Sequence, residues 1–99
     1  MESRIIQTRV VNRPGVLNRI TQTVLKPGYN IDTLTLQYAG GSADSSAEFS
    51  IITLGIQFAD QAAAELLMNQ LEKQIDVIYV VDITDGLPND QEREDQSIY

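Results

Sequence analysis

Two short polar segments hold the residues of this chain best suited to engage a ligand, Asn12-Arg13-Pro14-Gly15 and Gly28-Tyr29-Asn30. The first opens onto an apolar helical spacing that starts at Val16. Backbone N–H groups near Gly15, Val16 and Leu17 are therefore expected to lack helical acceptors and to face outward with the positive end of the helix dipole, which attracts a carboxylate. Gly15 has no Cβ to hold a ligand away from the backbone. The second segment offers the carbonyl and amide of Asn30 beside the apolar wall of Ile31, which suits the ammonium and carboxylate of a free amino acid. Each segment taken singly also reads as an ordinary chain reversal: a Pro-Gly turn ahead of a cap, and a helix-to-strand turn.

Chemistry beyond binding is poorly supplied. The chain contains no His and no Cys, so the commonest general base, the commonest metal ligand, the thiolate nucleophile and the disulfide are all missing. Asp32, Glu48, Asp60, Glu65, Glu72, Asp76 and Asp82 are scattered, with no paired spacing that suggests a metal site or an acid–base dyad. No sequence partner would activate Tyr29, which reads as a packing residue. No catalytic residue and no metal ligand is assigned, and no cofactor is expected in the chain itself.

The net charge is -7, from 14 acidic and 7 basic residues, and it is unevenly placed. Five of the bases (Arg4, Arg9, Arg13, Arg19 and Lys26) fall in the first third, around the first polar segment. An acidic chain repels phosphate, so nucleic acid is not an expected partner. No apolar run approaches the roughly 18 residues of a membrane span, and Met1 to Arg13 alternates like a strand rather than a signal peptide. A cytoplasmic protein without membrane contact is the expectation.

Six elements must position these segments. Arg4 to Val11 reads as a strand with Ile6, Thr8 and Val10 on one face. From Val16 the apolar residues Val16, Leu17, Ile20, Val24 and Leu25 recur at helical spacing, with Pro14 suited to the first turn and Asn12 able to supply a capping oxygen. The helix should stop before Pro27-Gly28. Ile31 to Tyr38 alternates Leu34, Leu36 and Tyr38 against Thr33, Thr35 and Gln37, as a half-buried strand does. Ala39 to Ser46 reads as a flexible loop. Ala47 to Ile56 is apolar on both faces and should be a central strand. Asp60 caps a second helix running to Gln74, whose buried stripe is Ala64, Leu67, Met68, Leu71 and Ile75. Val77 to Ile83 is the fourth strand. With 99 residues a single domain is natural, and one that buries only about two thirds of its unfolded surface gains from oligomerisation. The domain is placed at residues 3–84, and the acidic residues 85–99 read as a disordered tail.

The order βαββαβ is that of an α+β, ferredoxin-like sandwich: a four-stranded antiparallel sheet with two helices on one face, strands one and three central. This architecture hosts many functions. Its RNA-binding form needs aromatics on the central strands and a basic face, and here the first strand has no aromatic and the third only Phe49. Its metal-carrier form needs a Cys pair that is absent.

Three blocks carry a more specific likeness. Asn12-Arg13-Pro14-Gly15-Val16-Leu17, then Gly28-Tyr29-Asn30-Ile31-Asp32-Thr33-Leu34-Thr35, then Gln70 to Ile78 with Val80-Val81-Asp82, resemble the ACT domain of the small, regulatory subunit of acetolactate synthase (acetohydroxyacid synthase) over about residues 3–84. The resemblance implies a non-catalytic subunit that binds the catalytic subunit, raises its activity and conveys feedback inhibition by a branched-chain amino acid, typically valine. It implies a homodimer joined side by side, with the amino acid at the interface, held by Asn12, Gly15, Val16 and Leu17 of one copy and Asn30 and Ile31 of the other. Thiamine diphosphate, Mg and FAD are expected only in the catalytic partner. Members of that family mostly carry a second, C-terminal domain, and many have a basic residue early in the third strand, where this chain has Glu48. A stand-alone amino-acid-sensing ACT domain serving another enzyme is the alternative.

The edge strand Ile31 to Tyr38 has no Pro or Lys to block pairing, so it invites a second copy independently of the resemblance. The sheet face away from the helices, with Val77, Tyr79 and Val81 among Thr33, Thr35 and Gln37, is the expected contact with the catalytic subunit.

Overall fold

A computed structural model describes residues 2–41 and 48–86. The acidic segment from residue 87 onward and residues 42–47 lie outside the described residues; of the loop expected over Ala39 to Ser46, Ala39, Gly40 and Gly41 instead continue the second strand, with Gly40 opposite Phe49 and Gly41 opposite Glu48.

The element order is β1 (Glu2–Val11), α1 (Val16–Leu25), β2 (Asn30–Gly41), β3 (Glu48–Phe58), α2 (Gln61–Glu72) and β4 (Val77–Asp82). The strands form one antiparallel sheet in the order β2-β3-β1-β4, so β1 and β3 are central and β2 and β4 are edges. This is the expected ferredoxin-like sandwich. Register explains which face is apolar: Ile6 pairs with Leu54, Thr8 with Ile52 and Val10 with Ser50. All six side chains are buried and face the helices, where Val16, Ile20 and Val24 of α1 and Ala64, Leu67 and Leu71 of α2 close the core. Thr8 is tolerated there because its hydroxyl donates to the Tyr79 carbonyl at 2.9 Å. Asp60 caps α2 as expected, accepting from the Ala63 N–H at 2.9 Å. Tyr29 packs edge-on against Phe58, with ring centroids 5.0 Å apart, which is the packing role assigned to it.

Three further expectations need correction. The second strand is not half-buried: Leu34, Leu36 and Tyr38 face the helix side but are 40%, 53% and 59% exposed. The two helices cover β1, β3 and β4 and only the start of β2, where Ile31 reaches the core. Ile75 is not on the buried stripe of α2 but 91% exposed, because the helix ends at Glu72 and the chain turns, with the Gln74 N–H bonded to the Leu71 carbonyl. Val77 packs against the core rather than on the open face. A register shift between Arg9 and Val10 sets it opposite Val10, and only Tyr79 and Val81, opposite Arg9 and Gln7, remain on the open side. They lie at the far edge of the sheet from Thr33, Thr35 and Gln37.

Candidate functional site

At the first polar segment, Arg13-Pro14-Gly15-Val16 closes a turn in which the Val16 N–H donates to the Arg13 carbonyl at 3.2 Å. Gly15 follows the proline with φ 86° and ψ -9°, the third position of a type II turn, where a side chain would be strained. Pro14 therefore serves this turn and not the first helical turn, and the capping position is Gly15, with no side-chain cap. Asn12 does not cap α1. Its N–H donates to the Glu48 carbonyl at 2.8 Å, and its side chain is exposed, without a hydrogen-bond partner among the described residues. The turn takes up the Val16 N–H, while those of Leu17 and Asn18 have no acceptor among the described residues. Of the three donors expected to be open, Gly15 and Leu17 have no acceptor among the described residues, Val16 is taken up by the turn, and Asn18 joins the open set.

Two guanidinium groups and one carboxylate surround this helix start. Asp76 is buried and accepts from Arg19 Nη2 at 2.5 Å, and Arg13 Nε stands 3.7 Å from its other oxygen. The Asp76 carbonyl also accepts the Val11 N–H at 2.8 Å, so the turn between α2 and β4 supports the loop from beneath. Arg19 Nη1 lies 4.0 Å from where a Gly15 Cβ would stand. One negative charge against two positive ones, with open N–H donors and the helix dipole, makes this end receptive to an anion.

The second segment is at the other end of the sheet. Gly28 turns the chain at φ 96°, Asn30 begins β2 opposite Gln57, and Ile31 packs on the core. An open cleft of about 320 Å³ is lined by Pro27, Gly28, Tyr29, Asn30, Gln57 and Ala59. Here Asn30 Nδ2 donates to Asp32 Oδ1 at 2.9 Å and Gln57 Nε2 donates to Asp32 Oδ2 at 3.0 Å. Sequence reading missed Asp32, Gln57 and the Arg19–Asp76 pair. The Asn-x-Asp spacing on a strand was a visible signal for the first, but nothing local announces a pair 57 residues apart.

One chain does not bring the two segments together. Asn30 and Ser3 both pair with Gln57 at one end of the sheet, whereas Val11 pairs with Phe49 and Asn12 bonds Glu48 at the other. From Glu48 to Gln57 is roughly 30 Å at about 3.3 Å per residue. Asn12, Gly15, Val16 and Leu17 therefore stand together at one end of the sheet, and Asn30 and Ile31 at the other.

No helix among the described residues is long and apolar enough to cross a membrane. Among the described residues no group of three or more acidic side chains is placed to hold a metal ion.

Comparison with known proteins gives a consistent set. Residues 6–79 match the family described as AHAS small subunit-like ACT domain. The chain is 44% identical over 81 residues to the acetolactate synthase small subunit of Bacillus subtilis, covering 82% of this chain and 44% of that protein. It is 33% identical over 82 residues to a probable acetolactate synthase small subunit of Methanothermobacter thermautotrophicus, covering 83% and 45%. The chain thus spans about half the length of the curated relatives it matches. Among solved structures, the acetolactate synthase small subunit of Thermotoga maritima superposes with a TM-score of 0.62 at 25% identity, over 90% of this chain and 51% of that one. The ACT domain of a Chlorobium tepidum GTP pyrophosphokinase superposes with a TM-score of 0.65 at 24% identity, over 81% and 95%, a likeness of fold.

Proposed function

The chain belongs to the AHAS small subunit-like ACT domain family, and on that premise we propose that it is a non-catalytic regulatory subunit of acetolactate synthase. In this reading it binds and activates the catalytic subunit and conveys feedback inhibition by a branched-chain amino acid, valine first among them. Thiamine diphosphate, Mg and FAD, with the carbon–carbon chemistry, belong to that partner.

The observation that carries the reading is the exposed row Leu34, Leu36 and Tyr38 beside the edge of β2, which pairs with no further strand among the described residues. An apolar edge without Pro or Lys favours pairing with a copy of itself, through the strand from Ile31 to Tyr38. Two identical edges related by a two-fold axis run antiparallel, so the start of one β2 lies beside the end of the other. That arrangement sets the Asn12–Leu17 end of one copy against the Asn30–Ile31 end of its neighbour. Two half-sites that a single chain holds roughly 30 Å apart would then make one complete site. A ligand shared between copies can change the dimer only by binding one arrangement better than another, and the β2 interface is the element it would bias.

The test is acetolactate formation by the catalytic subunit, measured with and without this chain and with and without valine. The expected result is activation by the chain and loss of that activation, or inhibition, on adding valine. No association with the catalytic subunit would favour an ACT domain that senses amino acids for another enzyme.

A further inference from the structure

Building on the proposal that an amino acid bridges the two half-sites, we infer that Asp32 selects the effector's ammonium group, by fixing the orientation of the Asn30 carboxamide and placing a negative charge beside it. The backbone supplies the first argument. Ile31 pairs with Ile56 and Thr33 with Gly55, so Asp32 has no partner across β3 and is the extra residue of a β-bulge. Bulges redirect side chains and recur beside binding sites. This one turns Asp32 toward Asn30 and Gln57, which face each other in the register.

Hydrogen-bond chemistry supplies the second. An ionised carboxylate only accepts, so the groups that Asn30 and Gln57 present to it must be their NH2 ends, at 2.9 and 3.0 Å. Fixing Nδ2 on Asp32 turns Asn30 Oδ1 away from the carboxylate as a free acceptor. Without that anchor the amide could offer either end to a ligand. An oriented carbonyl oxygen beside a full negative charge accepts from a cationic donor and repels a carboxylate. The opposite half-site, with open N–H groups and the Arg13 and Arg19 guanidiniums, has the reverse preference. The pair reads a zwitterion end to end, and its ligand class is an α-amino acid with a free ammonium group. The corresponding 2-hydroxy acid, with the same side chain and carboxylate but a neutral hydroxyl, should be rejected.

Calorimetric titration of the full chain with L-valine, L-leucine and L-isoleucine, and with the 2-hydroxy acid corresponding to each, tests this. Wild type should prefer the amino acid by about tenfold or more, the discrimination expected of a charge-assisted contact. Asp32→Asn should weaken the amino acid by about tenfold while leaving the hydroxy acid unchanged, so that the preference collapses. Gln57→Leu removes one brace but keeps the charge, and should retain most of the preference. Equal weakening of both ligands in Asp32→Asn, or no change for the amino acid, overturns the assignment of Asp32 alone. Wild type that binds none of these ligands, or Asn30→Ala that binds them as tightly as wild type, removes the bridging-site reading and this inference with it.

Discussion

The Arg19 guanidinium lies 2.5 Å from the Asp76 carboxylate and ties α1 to the turn between α2 and β4, directly beneath the Asn12–Gly15 loop. The two partners are unequally exposed, Arg19 by half and Asp76 by only 8% of its side chain. Removing either should therefore have unequal consequences. Asp76→Ala frees a guanidinium that can turn to water, at a cost of about 1–2 kcal/mol. Arg19→Ala leaves a buried carboxylate with only Arg13 nearby and should cost more, about 2–3 kcal/mol. Urea denaturation of the two variants checks the order, and a larger loss in Asp76→Ala would contradict it.

Gly55 and Thr33 make a second relationship of the same kind. A Cβ built on Gly55 would collide with the Thr33 hydroxyl, which the bulge at Asp32 folds over the strand. Gly55→Ala should therefore destabilise the domain by about 1–3 kcal/mol through overpacking. Thr33→Ala alone, at an exposed position, should change stability by less than about 0.5 kcal/mol. The double variant should recover most of the loss, giving a coupling energy well above 0.5 kcal/mol. Strictly additive losses in thermal or urea unfolding would show that the collision is not the cause.

Neither of these contacts was legible in the sequence, because each joins residues far apart along the chain. Periodicity announced all six elements, because each carries side chains repeating at its own period: Ile6, Thr8 and Val10 alternate on β1 and Val16, Ile20 and Val24 recur on α1. Both candidate ligand segments stood out as polar breaks at element ends. The bulge was not read from the sequence; it shows in the structure, where Ile31 and Leu34 share the helix side although three residues apart, a spacing that an unbroken strand cannot give. What periodicity could not show was the extent of the helix layer. It stops short of Leu34, Leu36 and Tyr38, so an alternating pattern that normally signals burial ends as an exposed edge. Ile75 failed for a related reason: helical spacing continues past Leu71 in the sequence, but the helix itself ends at Glu72.

The exposed edge gives the third prediction. Leu36 is 53% exposed and contributes little to the monomer, so Leu36→Lys should change unfolding by less than about 0.5 kcal/mol. A charge in the centre of a strand-to-strand interface should weaken self-association by about tenfold or more, as edge lysines do elsewhere. Sedimentation velocity across a concentration series measures both chains. Identical association in wild type and variant would move the interface away from β2.

The bridging site makes a sharper demand. Asn12→Ala and Asn30→Ala should each weaken amino-acid binding by about tenfold, the worth of a hydrogen bond to a charged ligand, with the fold intact. If each site takes Asn12 from one copy and Asn30 from the other, each pure variant has two damaged sites. A mixed dimer of the two variants then has one site damaged twice and one site fully restored. Random pairing of equal amounts makes about half of the dimers mixed, so about a quarter of the wild-type number of tight sites should reappear on mixing. A calorimetric titration of the unfolded-and-refolded mixture counts them. No recovery would mean that both residues act within one chain or that neither holds the ligand, and the roughly 30 Å between them along the sheet already argues against the first.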